Sequence, residues 1–155
     1  MQEPITEIDA NLASLSLFYQ ALDHHQSGRL QEAERVYLQI LKQQPTHLDA
    51  MHNLGTIACQ SQKFDNAINY FQQVLTYAPQ RLDTHTNLAH ALKAIGNLLE
   101  AIKHYELILE ASPNLADIHF KLGQLLATQE RLDERSRIIK KQSIFNPKIS
   151  RHILV

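Results

Sequence analysis

Apolar residues along the chain fall into two alternating helical stripes. Over 48–61 the positions Met51, Leu54, Gly55 and Ala58 stand at i, i+3, i+4 and i+7, one face of a helix. Over 64–77 a second stripe holds Phe64, Ala67, Ile68, Phe71, Val74 and Leu75. Pro79 follows, where a proline ends a helix without breaking one. The pair recurs downstream as Leu88, Ala89 and Leu92, then Leu98, Ala101, Ile102, Tyr105, Ile108 and Leu109. It recurs upstream as Leu17, Ala21 and His24, then Leu30, Ala33, Tyr37, Ile40 and Leu41. The spacing predicts an all-α chain of antiparallel helix pairs.

The pairs share one period. Pro45, Pro79, Pro113 and Pro147 are each 34 residues apart. The same step joins Ala33, Ala67 and Ala101; Tyr37, Phe71 and Tyr105; Leu30, Phe64, Leu98 and Leu132; and Asp49, Asp83 and Asp117. It also joins Leu54-Gly55, Leu88-Ala89 and Leu122-Gly123. Small residues on the facing stripes let two helices approach closely, while an aromatic side chain fills the adjacent gap. Gly28 and Gly96 fall between paired helices, where a left-handed residue ends the first one. Gln62 and Glu130 occupy the same slot, so the turn there must accept a side chain.

A 34-residue helix–turn–helix with small, aromatic and proline positions in this order resembles the tetratricopeptide repeat. The resemblance covers about 14–149 and implies a right-handed helical-repeat solenoid. The expected division is a lead-in at 1–13, units at 14–47, 48–81, 82–115 and 116–149, and a tail at 150–155. The run from His24 to Glu34 is similar to repeats of bacterial O-linked N-acetylglucosamine transferase-like proteins and to repeats fused to sulfo- and methyltransferases. In such proteins the repeats bind partners and another domain does the chemistry.

The fourth unit departs from the pattern. Its first helix keeps Asp117, His119, Leu122, Gly123 and Leu126. Its second puts Arg135 where the other units have alanine, with Ser136, Gln142 and Ser143 at further apolar positions. A buried unpaired Arg is costly, so this helix cannot pack in full register. A capping unit with a polar outer face, a docking surface, or the edge of a lost domain each fit.

Composition narrows the function classes. At 155 residues and 44% hydrophobic, the chain is long enough for one ordinary domain with a core. The formal net charge of -1 gives no whole-chain footprint for nucleic acid. One cysteine, Cys59, permits no internal disulfide. No apolar run approaches a membrane span, and the opening residues carry acid where a secretory signal carries Lys or Arg. The expected location is cytoplasmic. Charge is uneven: residues 1–130 hold 8 Lys/Arg against 14 Asp/Glu, and 131–151 hold 7 against 2. The basic stretch includes Arg131, Arg135, Arg137, Lys140, Lys141, Lys148 and Arg151, and suits a solvated cap or an acidic partner. The apolar Ile153-Leu154-Val155 either folds back on the last repeat or marks a truncated chain.

No catalytic motif, Walker loop or dinucleotide fingerprint is present, so no enzyme, cofactor or metal is expected. The nine histidines lack i, i+4 ligand spacing, and His85 and His119 share a column on the packing stripe. The working surface is expected on the first helices of the pairs, which line the concave side. In the second unit it comprises Asp49, Asn53, Thr56 and Gln60, with His52 at the edge; in the third, Asp83, Asn87, His90 and Ala94, with Thr86; in the fourth, Asp117, Lys121, Gln124 and Thr128, with Phe120. Asp49 and Asp83 also suit the first turn of a helix, where negative charge is favoured. A carboxamide both donates and accepts, so Asn53 and Asn87 can pair with an extended peptide backbone. They resemble the start of the asparagine ladder of O-linked N-acetylglucosamine transferases, which Lys121 interrupts. Co-chaperone repeats clamp a carboxylate with Lys and Arg. Here Asn53 matches the clamp's asparagine, but Phe18, Leu22, Asp83 and Asn87 stand at its other positions, which argues against an acidic tail. The expected function is a non-enzymatic interaction module for a peptide or protein, with self-association through the fourth unit open. The alternatives are the adaptor region of a transferase and a small secretion-type chaperone.

Overall fold

The computed structural model describes the backbone from Glu7 to Phe145 and side chains over 11–140. Pro147, the tail and the basic residues Lys141, Lys148 and Arg151 lie outside that description. Among the described residues the chain is all helix: α1 (Glu7–Gln26), α2 (Leu30–Gln43), α3 (Leu48–Gln60), α4 (Phe64–Tyr77), α5 (Leu82–Ala94), α6 (Leu98–Ala111) and α7 (Ala116–Phe145). They fall into two compact units, α1–α5 and α6–α7, divided after Asn97.

In the first unit each helix packs on the next, and α3 also touches α5. Buried Ala21, Ala33, Val36, Tyr37, Ile40, Ala50, Leu54 and Ile57 form one cluster, which Leu17, Phe18 and Tyr70 flank. Ala67, Phe71 and Val74 of α4 are fully buried. The small-residue expectation holds at Gly55. A Cβ there would lie 2.5 Å from Phe71 Cε1, so the glycine is what admits the ring.

The turns inside the pairs share one construction. After α1, Gly28 takes φ +75°, its N–H reaches His25 O, and the next N–H, of Arg29, reaches back to His24 O. The pattern repeats with Gln62 at φ 58° and Lys63 N–H on Ala58 O, then with Gly96 at φ +81° and Asn97 N–H on Leu92 O. These left-handed closures satisfy the last helical carbonyls. Between pairs, the residue before proline is driven out of the helical region. Gln44 and Ala78 have φ near -131° and -133° and still donate to Ile40 O and Val74 O.

The second unit is α6 packed on α7, with Ala101, Tyr105, Ile108, Ile118 and Leu125 buried. Here the structure corrects the sequence reading. No turn forms at Glu130, and α7 runs 30 residues through it. Two reasons favour the straight helix. Gln129, Glu130 and Arg131 are good helix formers, whereas a left-handed Glu costs about 1–2 kcal/mol. A folded-back helix would also carry Arg135 into the slot that buried Ala33, Ala67 and Ala101 fill. At the other end, α1 begins at Glu7, inside the expected lead-in.

Candidate functional site

The site residues expected in the second and third units lie on α3 and α5 of the first unit. They are less independent than a solvated row. Arg81, in the position before α5, places Nη1 2.8 Å from Asp49 Oδ1 and Nε 3.1 Å from Asp83 Oδ1. One guanidinium thus spans both carboxylates. Asp83 Oδ1 also accepts the Thr84 N–H at 2.7 Å, as a first-turn acid does. Burial works against the charge of Asp83, but Arg81, with His52 and the Thr84 N–H, holds its pKa below the ordinary value.

His52 was expected at the groove edge and is instead buried between helices. Its ring packs 5.6 Å from that of Phe71. Nδ1 lies 2.8 Å from Thr84 Oγ1, and Asn87 Nδ2 lies 3.3 Å from Nε2. The amide nitrogen can only donate, so Nε2 accepts and Nδ1–H donates to Thr84. The Thr84 hydroxyl donates onward to Asp83 Oδ1 at 3.3 Å. The bonding requires a neutral imidazole, and burial lowers its pKa, with Arg81 assisting against Asp83 and Asp49. The 3.8 Å separation between Nε2 and Asp83 is therefore not an ion pair.

The two asparagines are anchored. Asn53 Nδ2 donates to the Tyr37 hydroxyl at 3.1 Å, and Asn87 Nδ2 also reaches Thr56 Oγ1 at 3.5 Å. Burial pushes the Tyr37 hydroxyl up to about 12, against the Asn53 bond, which lowers it. Thr56 donates to His52 O. Beside this network is a hollow of about 230 Å³ lined by Thr56, Cys59, Gln60, Phe71, Asn87 and His90. It brings together four residues expected in the groove. Burial raises the pKa of the Cys59 thiol on its wall, which disfavours the thiolate.

Lys121 and Gln124 are on α7, in the second unit. Lys121 is ion-paired with Asp117 one turn earlier, and Gln124 is exposed, its backbone carbonyl accepting from the Thr128 hydroxyl. The histidine column is structural: His85 Nε2 donates to Pro79 O at 2.9 Å, and His119 Nε2 to Pro113 O at 2.7 Å.

The family model for the tetratricopeptide repeat matches residues 9–80 and 46–112, more than half of the chain. The chain belongs to the tetratricopeptide-repeat family. Solved structures of the family share its fold. The first tetratricopeptide repeat of Spaghetti (RPAP3), bound to the HSP90 peptide SRMEEVD, is 20% identical with a TM-score of 0.72, covering 76% of this chain and 93% of that one. MamA from Desulfovibrio magneticus RS-1 is 19% identical with a TM-score of 0.72, covering 83% and 72%. An O-GlcNAc transferase mutant of Thermobaculum terrenum is 22% identical with a TM-score of 0.69, covering 81% of this chain and 23% of that one. A search of curated protein sequences finds no match.

Within this tetratricopeptide-repeat frame, sequence reasoning missed Arg81, Thr84, Phe71, Cys59 and Tyr37 as parts of the site. One signal was available. Thr84 stands in the column of Ala50 and Ile118, which are buried, and a hydroxyl at a buried position needs a partner. Among the described residues no helix is long and apolar enough to cross a membrane.

Proposed function

We propose that this chain is a non-enzymatic interaction module that holds an extended peptide or protein segment along the α3–α5 face of its first unit. The observation that carries the reading is the hollow beside Asn87, large enough for one side chain, with a ring floor at Phe71 and a polar rim of Thr56, Gln60, Asn87 and His90. Asn53 directs one amide N–H to Tyr37, and Asn87 directs its amide nitrogen to His52 and Thr56. The Oδ1 of each, with the second N–H of Asn53, remains to pair with a peptide backbone, and the ordering is already complete before binding, which lowers its entropic cost.

The hollow's lining carries no Asp, Glu, Lys or Arg, and the nearby cation Arg81 is committed to Asp49 and Asp83. With Phe18, Leu22, Asp83 and Asn87 at the carboxylate-clamp positions, the preferred ligand is an uncharged segment with one apolar side chain rather than an acidic tail. Affinity is expected at roughly micromolar, because an extended ligand orders on binding.

The test is selection of random displayed peptides against the purified chain, followed by titration with Asn87→Ala and His90→Ala variants of unchanged circular dichroism. A loss of tenfold or more in affinity, about 1.4 kcal/mol, supports the groove. Equal binding by both variants, or selection of peptides ending in acidic runs, overturns it.

A further inference from the structure

We propose that α7 pairs antiparallel with the α7 of a second copy, through the face carrying His119, Phe120, Gly123, Leu126 and Ala127, to form a two-fold symmetric dimer. This proposal is independent of the groove reading and rests on the second unit alone.

The repeat register supplies the first step. Two periods before these residues stand Met51, His52, Gly55, Ala58 and Cys59 of α3. In α3 the first four are buried, and α4 lays Phe71 against Gly55. Among the described residues the matching face of α7 has no such cover. Phe120 is 65% exposed and Leu126 43%, and a Cβ on Gly123 would meet nothing within 4 Å. As far as Phe145 the chain does not fold back over it, because α7 continues straight and Arg135 stands in the alanine column of the repeat.

The chemistry of the face points to its occupant. It holds both small residues, Gly123 and Ala127, and large ones, Phe120 and Leu126. A two-fold contact needs a surface complementary to itself, whereas any other partner needs a second, separately matched surface. With the axis at Gly123, residues equally far before and after it face each other. Phe120 then meets Leu126 of the second copy, and Ala127 leaves room for His119. Glu130 meets Ala116, at the amino end of the other α7, where a carboxylate is favoured. None of the five central residues carries a permanent charge, so like charges do not meet at the axis. Lys121 is turned to Asp117. The glycine permits the close interaxial approach that such a crossing needs.

Sedimentation velocity on the full chain from about 1 to 100 µM tests the pairing. The expected result is a reversible monomer–dimer equilibrium. Phe120→Glu should weaken it at least tenfold, with the circular dichroism at dilution unchanged. Gly123→Leu should do the same, since the monomer has space for the side chain and the dimer does not. In a Cys59→Ala background, Gly123→Cys should cross-link the dimer on oxidation, which places the axis. A monomer at every concentration overturns the proposal. So does a dimer that survives both Phe120→Glu and Gly123→Leu, or one that Gly123→Cys leaves unlinked.

Discussion

Gly55→Ala puts the packing argument under direct test, because two magnitudes of opposite sign compete there. In a helix interior, alanine is ordinarily better than glycine by about 1 kcal/mol. At Gly55 the added methyl would lie 2.5 Å from Phe71 Cε1 and 2.8 Å from Cδ1 and Cζ. Carbon atoms in good contact sit about 3.5–4 Å apart, so the ring must retreat by roughly 1 Å. Phe71 is fully buried and the His52 ring stands beside it, so retreat moves helices rather than a free side chain. Overpacking of this kind costs about 1–3 kcal/mol, and a shift this large belongs in the upper half of that range. The net expectation is a loss of about 1–2 kcal/mol. Urea unfolding followed by circular dichroism measures it, with an unchanged m-value showing that only stability moved. A double-mutant cycle isolates the contact: in a Phe71→Leu background Gly55→Ala should be neutral or stabilising, a coupling of about 2 kcal/mol. Gly123→Ala, which meets nothing, should gain about 0.5–1 kcal/mol when the chain is dilute. A Gly55→Ala variant as stable as the native chain would refute the reasoning.

Three further outcomes follow from the same physics. Ala67 and Ala101 are fully buried, so leucine at either should cost about 1–3 kcal/mol; equal or higher melting temperatures in both would contradict this. Gln62 holds φ 58°, and Gln62→Gly should recover up to about 1 kcal/mol of left-handed backbone cost, whereas a lower melting temperature would show that the side chain contributes more than the backbone loses. His52 is neutral in the fold with a lowered pKa, so near and below pH ~6.5 the unfolded chain binds more protons and stability rises with pH. That contribution is complete above the ordinary histidine value and is lost as pH falls through the lowered one. His52→Gln should flatten the acid side of the profile, and parallel profiles would remove His52 as the cause.

The periodic part of this fold was legible because it rests on spacing. Ala67, Phe71 and Gly55 recur at 34 residues since each helix pair must solve the same packing problem with the same side-chain sizes. The straight course of α7 was half legible. Arg135 announced that the last helix could not dock, but the continuation through Glu130 depended on comparing a left-handed turn with an uninterrupted helix, a difference of a kcal/mol or two. The bonding of the site was the least legible. His52 and Asp83 are 31 residues apart, and nothing local says that Thr84 will sit between them or that Arg81 will reach across to Asp49.

That bonding changes what the groove asparagines can do. On an open helix face, Asn53 and Asn87 would be mobile amides, each paying for its ordering when a ligand arrives. Here Tyr37 fixes one, and His52 with Thr56 fixes the other. His52 is in turn held by Thr84, and Thr84 by Asp83 under the Arg81 charge. The acidic row, which in isolation suggests a cation or a basic ligand, is thereby spent on orientation. Protonating His52 would convert Nε2 from acceptor to donor, and Asn87 Nδ2 could no longer point at it. The amide would have to turn over or withdraw, at the rim of the hollow that the proposed ligand enters. Peptide affinity and fold stability should therefore weaken together as pH drops, and both responses should vanish in His52→Gln if the network is what presents the groove.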